Sequence, residues 1–220
     1  ISYARWIALA AIRFRRSVAM NEDILQAMKR RNVTELLHFT SSQNFYEMLR
    51  MEGTGPAIVP GDKVNKETTY INDALRLDGT DHINLSIQRI NRPLFYCFKE
   101  REKSDALKNK QYSRKWFIIS IHPDVLKNGK CQFTPTNAAT RNVRPRSGVE
   151  GFNALFADDT QNSPFNQQAE CLFFASIPFL FWQKIYVADD EDRKILILAM
   201  KMENVNYSQE KIVVQPELFQ

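Results

Sequence analysis

Glycine is scarce, with 7 among 220 residues, and neither G-x-G-x-x-G nor G-x-x-x-x-G-K-[ST] occurs. Loops that wrap phosphate in glycine backbone are therefore missing, which counts against Rossmann dehydrogenases and P-loop enzymes. Cysteine is equally sparse: Cys97, Cys131 and Cys171 are odd in number, far apart and form no C-x-x-C. His38, His82 and His122 are as scattered. No zinc-ligand spacing exists, no metal is expected, and a reducing cytoplasm is the simplest setting. Signatures of serine and cysteine hydrolases are absent too. Long apolar runs are missing: the first twenty residues are apolar and basic, but Arg5 and Arg13 interrupt them before bilayer length. No membrane partner is expected.

What is present describes a folded globule. Hydrophobic residues make up 44% and phenylalanine numbers 15, enough for a packed core in a chain of this length. The net charge of +5 suggests an acidic partner until it is located. Residues 1–31 hold seven Lys/Arg (Arg5, Arg13, Arg15, Arg16, Lys29, Arg30 and Arg31) against Glu22 and Asp23, so the remainder is neutral overall. Nucleic-acid binding must therefore be argued from local patches. The basic N-terminus has three readings: a transit or membrane-surface helix, an amphipathic docking helix, or upstream sequence preceding a start at Met20. The expected division is a basic helical extension over 1–31, with 1–19 outside the functional core in the Met20 reading, and one domain over 32–220.

Periodicity and capping residues outline the elements. Asn21 can cap a helix through Arg31. The run VTELLHFT reads as a strand, and Ser41 or Ser42 can cap the helix QNFYEMLRM, closed by Gly53. Residues 53–70 form a long loop of the kind that often serves as a lid. HINLSI is strand-like, RPLFYCFKEREK helical, WFIISI a buried strand and HPDVL a short helical turn. Residues 136–148 form a polar, basic loop, followed by a helix near VEGFNALF and the loop ADDTQNSPFNQQ. ECLFFASI, KIYVA and KILILAM are three late strand-like runs. Strands and helices do not alternate regularly, so the expected class is α+β, a mixed sheet with flanking helices.

Several residues could carry chemistry, and each has an ordinary structural reading beside the functional one. Glu170 stands where a polar loop meets the strand CLFF. A carboxylate there can stabilise an oxocarbenium-like sugar and bind its 2′-hydroxyl; equally, it is a surface Glu at a strand start. His38 and Thr40 end a strand before a helix N-terminus, with Asn44 on the first turn, and could orient a ribose and a phosphate. A half-buried, hydrogen-bonded His is the plainer reading. Arg76 could bind a pyrophosphate or simply pair with Asp73 or Asp78. Phe95 and Tyr96 could sandwich a flat ring, although helical aromatics are usually core residues. Arg141, Arg144 and Arg146 suit phosphate contacts, with Phe133 and Phe165 available to stack a base; a solvated loop is the alternative.

Taken in order, LLHFTSSQNF, INDALRLDG, INLSI with the later LFY, WFIISIHPDVL, FTPTNAA and QQAECLFF resemble the DarT family of nucleic-acid ADP-ribosyltransferases. The matches cover roughly residues 33 to 188. Each is short, but six in order at sensible spacing make a specific signal. The resemblance implies an ADP-ribosyltransferase-like sheet core with a central cleft for NAD as co-substrate, and transfer of ADP-ribose to a base of single-stranded nucleic acid. It makes Glu170 and Arg76 catalytic, and gives NAD to His38, Thr40, Asn44 and Ser86; Tyr96 joins the expected NAD contacts from the aromatic reading above. It makes 158–168 a substrate-recognition loop. It also implies a toxin neutralised by an antitoxin, typically with a macrodomain, and a place in phage defence.

Two departures from the family pattern fall where substrate is handled. Pro164-Phe165-Asn166-Gln167 replaces a Pro-Thr-Asp-Pro-like run, and Ser86-Ile87-Gln88 precedes Ile90-Asn91-Arg92 in place of Ser-Ile-Ser and Pro-Asn-Tyr. The base therefore stays open among thymine, guanine and adenine, with DNA favoured over RNA. Two rival readings are modification of a protein side chain and a non-catalytic binding module with a degenerate cleft.

Overall fold

The computed structural model describes residues 21–51, 55–63, 81–108 and 114–220. Arg76 and its INDALRLDG segment, half of the 53–70 loop and the first twenty residues lie outside the described residues.

The described chain opens in a helix, α1, over residues 21–30. Ile24, Leu25, Ala27 and Met28 recur at helical spacing, are buried, and belong to the main core. Asn21 does not cap this helix. It is already helical, its amide donates to the carbonyls of Leu126 and Gly129, and among the described residues its own Oδ1 has no partner.

Strand β1 (Leu36–Ser41) leads directly into α2 (Ser42–Leu49). Ser41 makes the cap, its hydroxyl accepting from the Asn44 N–H, and Phe45 and Leu49 carry the buried face one turn apart. A short strand, β2 (Ala57–Ile58), lies inside the stretch expected to be pure loop; it pairs with β7 (Ile177–Pro178) as a separate two-stranded ribbon. β3 (Ile83–Ile87), α3 (Arg92–Lys108) and β4 (Trp116–Ile121) follow. Next come β5 (Cys131–Thr134), α4 (Gly148–Asn153), β6 (Glu170–Phe173) and β8 (Trp182–Val187). The chain ends with α5 (Asp190–Met202) and β9 (Ile212–Val214).

Seven strands form one sheet in the order β5-β6-β3-β1-β4-β8-β9, antiparallel except for the parallel pair β8 and β9. Each face is covered, which is why β4 is apolar on both sides and reads as a continuous run. One face packs Leu85, Phe117, Ile119, Phe133 and Phe173 against side chains from α1, α2, α4 and α5. The other packs Leu37, Ile118 and Trp116 against Phe95 and Phe98 of α3 and against Phe219. The α+β expectation is met.

One expected strand is a helix. KILILAM lies in α5, where Asp189 caps the first turn through the Asp192 N–H and Leu196 and Met200, four residues apart, are buried. Three acids in the first turn and Lys201 in the last complement the helix dipole. A run of alternating aliphatics fits a strand as well; the Asp-rich start decides for the helix.

Candidate active site

The sheet opens in its middle. β1 pairs with β4 along its whole length, from Leu36↔Ile121 to Ser41↔Trp116. On its other side it pairs with β3 only at Leu36↔Ile87 and Leu37↔Ser86. Beyond that point the two strands part, although both continue. Among the described residues no further pair joins them, and the opening that results is a natural place for a polar ligand.

His38 lies in this opening. Its Nδ1 is 3.2 Å from the Asn84 carbonyl on β3, so the ring reaches across where a ladder bond would otherwise run. A carbonyl can only accept, which assigns the proton to Nδ1 and leaves Nε2 as an acceptor. Burial lowers the His38 pKa from 6.5 to about 4, only partly offset by the bond to Asn84, so the ring is neutral at physiological pH. Thr40 is buried at the end of the same strand, and Asn44 sits on the first turn of α2.

Glu170 is 2% exposed and begins β6, opposite both Ser86 of β3 and Thr134 of β5. Ser86 stands opposite Leu37 in turn, which sets Glu170 on the face covered by α3. Both carboxylate oxygens are engaged. Oε2 accepts from the Ala138 backbone N–H at 2.8 Å, and Oε1 from Asn91 Nδ2 at 3.4 Å. Asn91 is itself fixed: its N–H donates to Ser86 Oγ, and its Oδ1 accepts from the Leu94 N–H at the start of α3. A buried Glu held by two donors is not the surface residue that the plainer reading allowed.

The loop after β5 supplies the other half of this grip. Thr134 Oγ1 donates to the Thr136 carbonyl, Thr136 Oγ1 donates to Gln168, and the Ala139 N–H bonds the Asn137 side chain. The TPTNAA segment thus wraps around the carboxylate, while Arg141, Arg144 and Arg146 further along are exposed. Arg146 is fastened by its backbone to Phe133, and α4 packs so close that a Cβ at Gly151 would meet the Arg146 carbonyl oxygen at 2.7 Å.

Two expected aromatic contacts fail. Phe133 is 1% exposed and packs against Phe152, so it cannot stack a base. Phe95 is buried against Phe39 and Trp116 and cannot cover nicotinamide. In both cases the aromatic side chain is worth more to the core than to a ligand. Tyr96 is exposed on α3, and Phe165 stands 79% exposed on the loop before Glu170.

Sequence reasoning missed Asn91, Ala138 and Asn84. Asn91 had a signal, an Asn just before a helical run. Ala138 acts through its backbone and had none. Asn84 Oδ1 is buried and among the described residues has no hydrogen-bond partner, an acceptor beside the opening that can receive a ligand donor.

The architecture is shared with solved structures. Thermus sp. 2.9 DarT in complex with NAD+ superposes with a TM-score of 0.61 at 13% identity, over 84% of this chain and 96% of that one. The same protein in complex with ADP-ribosylated ssDNA gives 0.60 at 12% identity, over 85% and 96%. Thermosipho africanus DarTG in complex with ADP-ribose gives 0.53 at 18%, over 84% of this chain and 51% of that one. At such identities the likeness speaks for the fold. No curated protein matches. Fold and family together define an NAD-dependent ADP-ribosyltransferase of single-stranded DNA. The family model described as ssDNA thymidine ADP-ribosyltransferase, DarT, matches residues 37–220, and the chain belongs to that family. The base left open by the sequence is thereby named as thymidine.

Proposed function

We propose that Glu170 is the catalytic carboxylate for transfer of ADP-ribose from NAD to thymidine in single-stranded DNA, acting at the opening between β1 and β3. The observation that carries this is the buried Glu170 side chain, held by the Ala138 N–H and Asn91 beside Ser86. An oriented anion there stabilises positive charge as the bond between nicotinamide and the ribose anomeric carbon breaks. The thymine ring nitrogen then bonds to that carbon. Thymine has no exocyclic amine, so the attacking nitrogen is the ring imide, and its proton passes to the carboxylate.

Neutral His38, through Nε2, and Thr40, Asn44 and Ser86 hold the sugars and phosphates of NAD, with Tyr96 available over the nicotinamide. Arg76 shares the work by stabilising negative charge. Arg141, Arg144, Arg146 and Phe165 contact the DNA: three exposed cations on the loop that grips Glu170, and an exposed ring on the segment leading to it, suit backbone and base. The acceptor must be unpaired, since a duplex hides the reacting edge. The transferase domain spans 32–220, with α1 docked into its core. Among the described residues no helix is long and apolar enough to cross a membrane; the cytoplasm, where single-stranded DNA and NAD meet, is the proposed place of action. An enzyme that marks DNA endangers its own cell, which supports a neutralising antitoxin and a role in phage defence.

The test is labelled NAD with single-stranded oligonucleotides that contain or lack thymidine. Label should enter only the former, and Glu170→Gln, which keeps the shape, should lower the rate on the order of a hundredfold or more. Label on a protein and on no oligonucleotide would overturn the acceptor assignment.

A further inference from the structure

A polar cleft of about 420 Å³ lies between Arg89, in the turn from β3 to α3, and residues 160–165 of the loop before Glu170. Among the described residues Arg89 is the only charged one lining it; the opposite wall is made of hydroxyls, carboxamides, a proline and the ring of Phe165. We propose that this cleft is a binding site for the acceptor strand and that Arg89 binds a phosphodiester next to the modified thymidine. The proposal rests on the DNA-modifying function above and names a contact within it.

Four observations carry it. First, Arg89 is held out at its place by the backbone before it. Gln88 adopts φ +59°, which a non-glycine residue rarely does, and is tied down twice to the start of β1: its N–H donates to the Glu35 carbonyl and its Oε1 accepts from the Thr34 N–H. Second, Arg89 is exposed, and among the described residues no carboxylate pairs with it, so its charge is available to a ligand.

Third, the opposite wall is fixed from behind. The buried Arg31 guanidinium donates to the Asp158 carbonyl and to the Asp159 carboxylate, while the Asp158 carboxylate accepts from Thr160 and Gln161. Both loop acids therefore have partners, and neither lines the cleft. Fourth, both walls adjoin the catalytic strand pair. Arg89 follows Ser86 by three residues, about 10 Å of chain at most, and Ser86 pairs with Glu170. The loop returns to Glu170 through the Ala169 N–H on the Asn166 carbonyl. A guanidinium opposite carboxamides and an exposed ring matches one phosphate with an adjacent base.

The experiment uses the full chain, NAD and a single-stranded oligonucleotide with one thymidine. Arg89→Gln should raise the KM for the oligonucleotide on the order of tenfold. It should flatten the salt dependence of binding by about 0.7 in log–log slope and leave NAD affinity by calorimetry unchanged. Arg89→Lys should recover most of the loss. Replacing single phosphodiesters around the thymidine by neutral methylphosphonates should cost the native protein a similar factor at one position and cost Arg89→Gln almost nothing there. A native KM and salt slope in Arg89→Gln, with the native protein still modifying the oligonucleotide, would overturn this contact alone. A native protein that modifies no oligonucleotide would overturn the underlying function with it.

Discussion

His38, half-buried, and Glu170, buried, are polar side chains at the opening of the sheet, and each is oriented by hydrogen bonds to its neighbours. For His38 the burial has a thermodynamic sign. Its folded pKa is depressed to about 4 from 6.5, chiefly by desolvation. Below pH 6.5 the unfolded chain takes up a proton that the folded chain refuses until about pH 4. The contribution to stability is therefore complete above 6.5 and lost as pH falls through that window. Urea unfolding from pH 7 to 4 should show the native protein losing about 2 kcal/mol more than His38→Gln; parallel curves would remove His38 as the cause. At this scale the sequence was a partial guide. Glu170 and His38 were legible through the segments QQAECLFF and LLHFTSSQNF that resemble the family, but Phe95 and Phe133 looked like ligand contacts and are core. Cys131 and Cys171, forty residues apart, prove to share one face of the neighbouring strands β5 and β6; the Cys131 thiol and burial push the Cys171 thiol up.

Elements carry the next set of consequences. The helix α1 contributes more than apolar side chains, because Arg31, just past its end, grips the base of the loop that leads to Glu170. Its guanidinium bonds Asp158, Asp159 and Asn153 and lies 4.4 Å from the Phe156 ring. Lysine keeps the charge but not the fork or the stacking. Arg31→Lys should cost about 2 kcal/mol in urea unfolding and raise the KM for the oligonucleotide, with NAD affinity unchanged. An unchanged KM alongside that destabilisation would limit Arg31 to a structural part. Helix and strand identities were mostly readable from periodicity and caps, with Ser41 before α2 a clear case. KILILAM was misread because aliphatic alternation over seven residues suits both structures. β5 and β9 are too short to show a period.

The whole molecule behaves as one sheet whose middle is pried open, with a core on each face holding the two halves. A ligand bridging the opening binds the folded chain and not the unfolded one. NAD at a hundredfold excess over its Kd should therefore add about 2.7 kcal/mol and raise Tm by roughly 5–10 °C for a chain of this size. No shift at saturating NAD would revive the reading as a non-catalytic binding module.

The amino-acid order alone determined the α+β class, most of the strands and helices, and the residues that resemble the family, because these depend on local spacing and residue type. Only the tertiary structure decided that β1 leaves β3 after two pairs, that Asn91 and the Ala138 amide hold Glu170, and that Arg89 faces the 160–165 loop. Those facts join residues that are distant in the chain, and such contacts are set by how whole elements pack rather than by any local pattern.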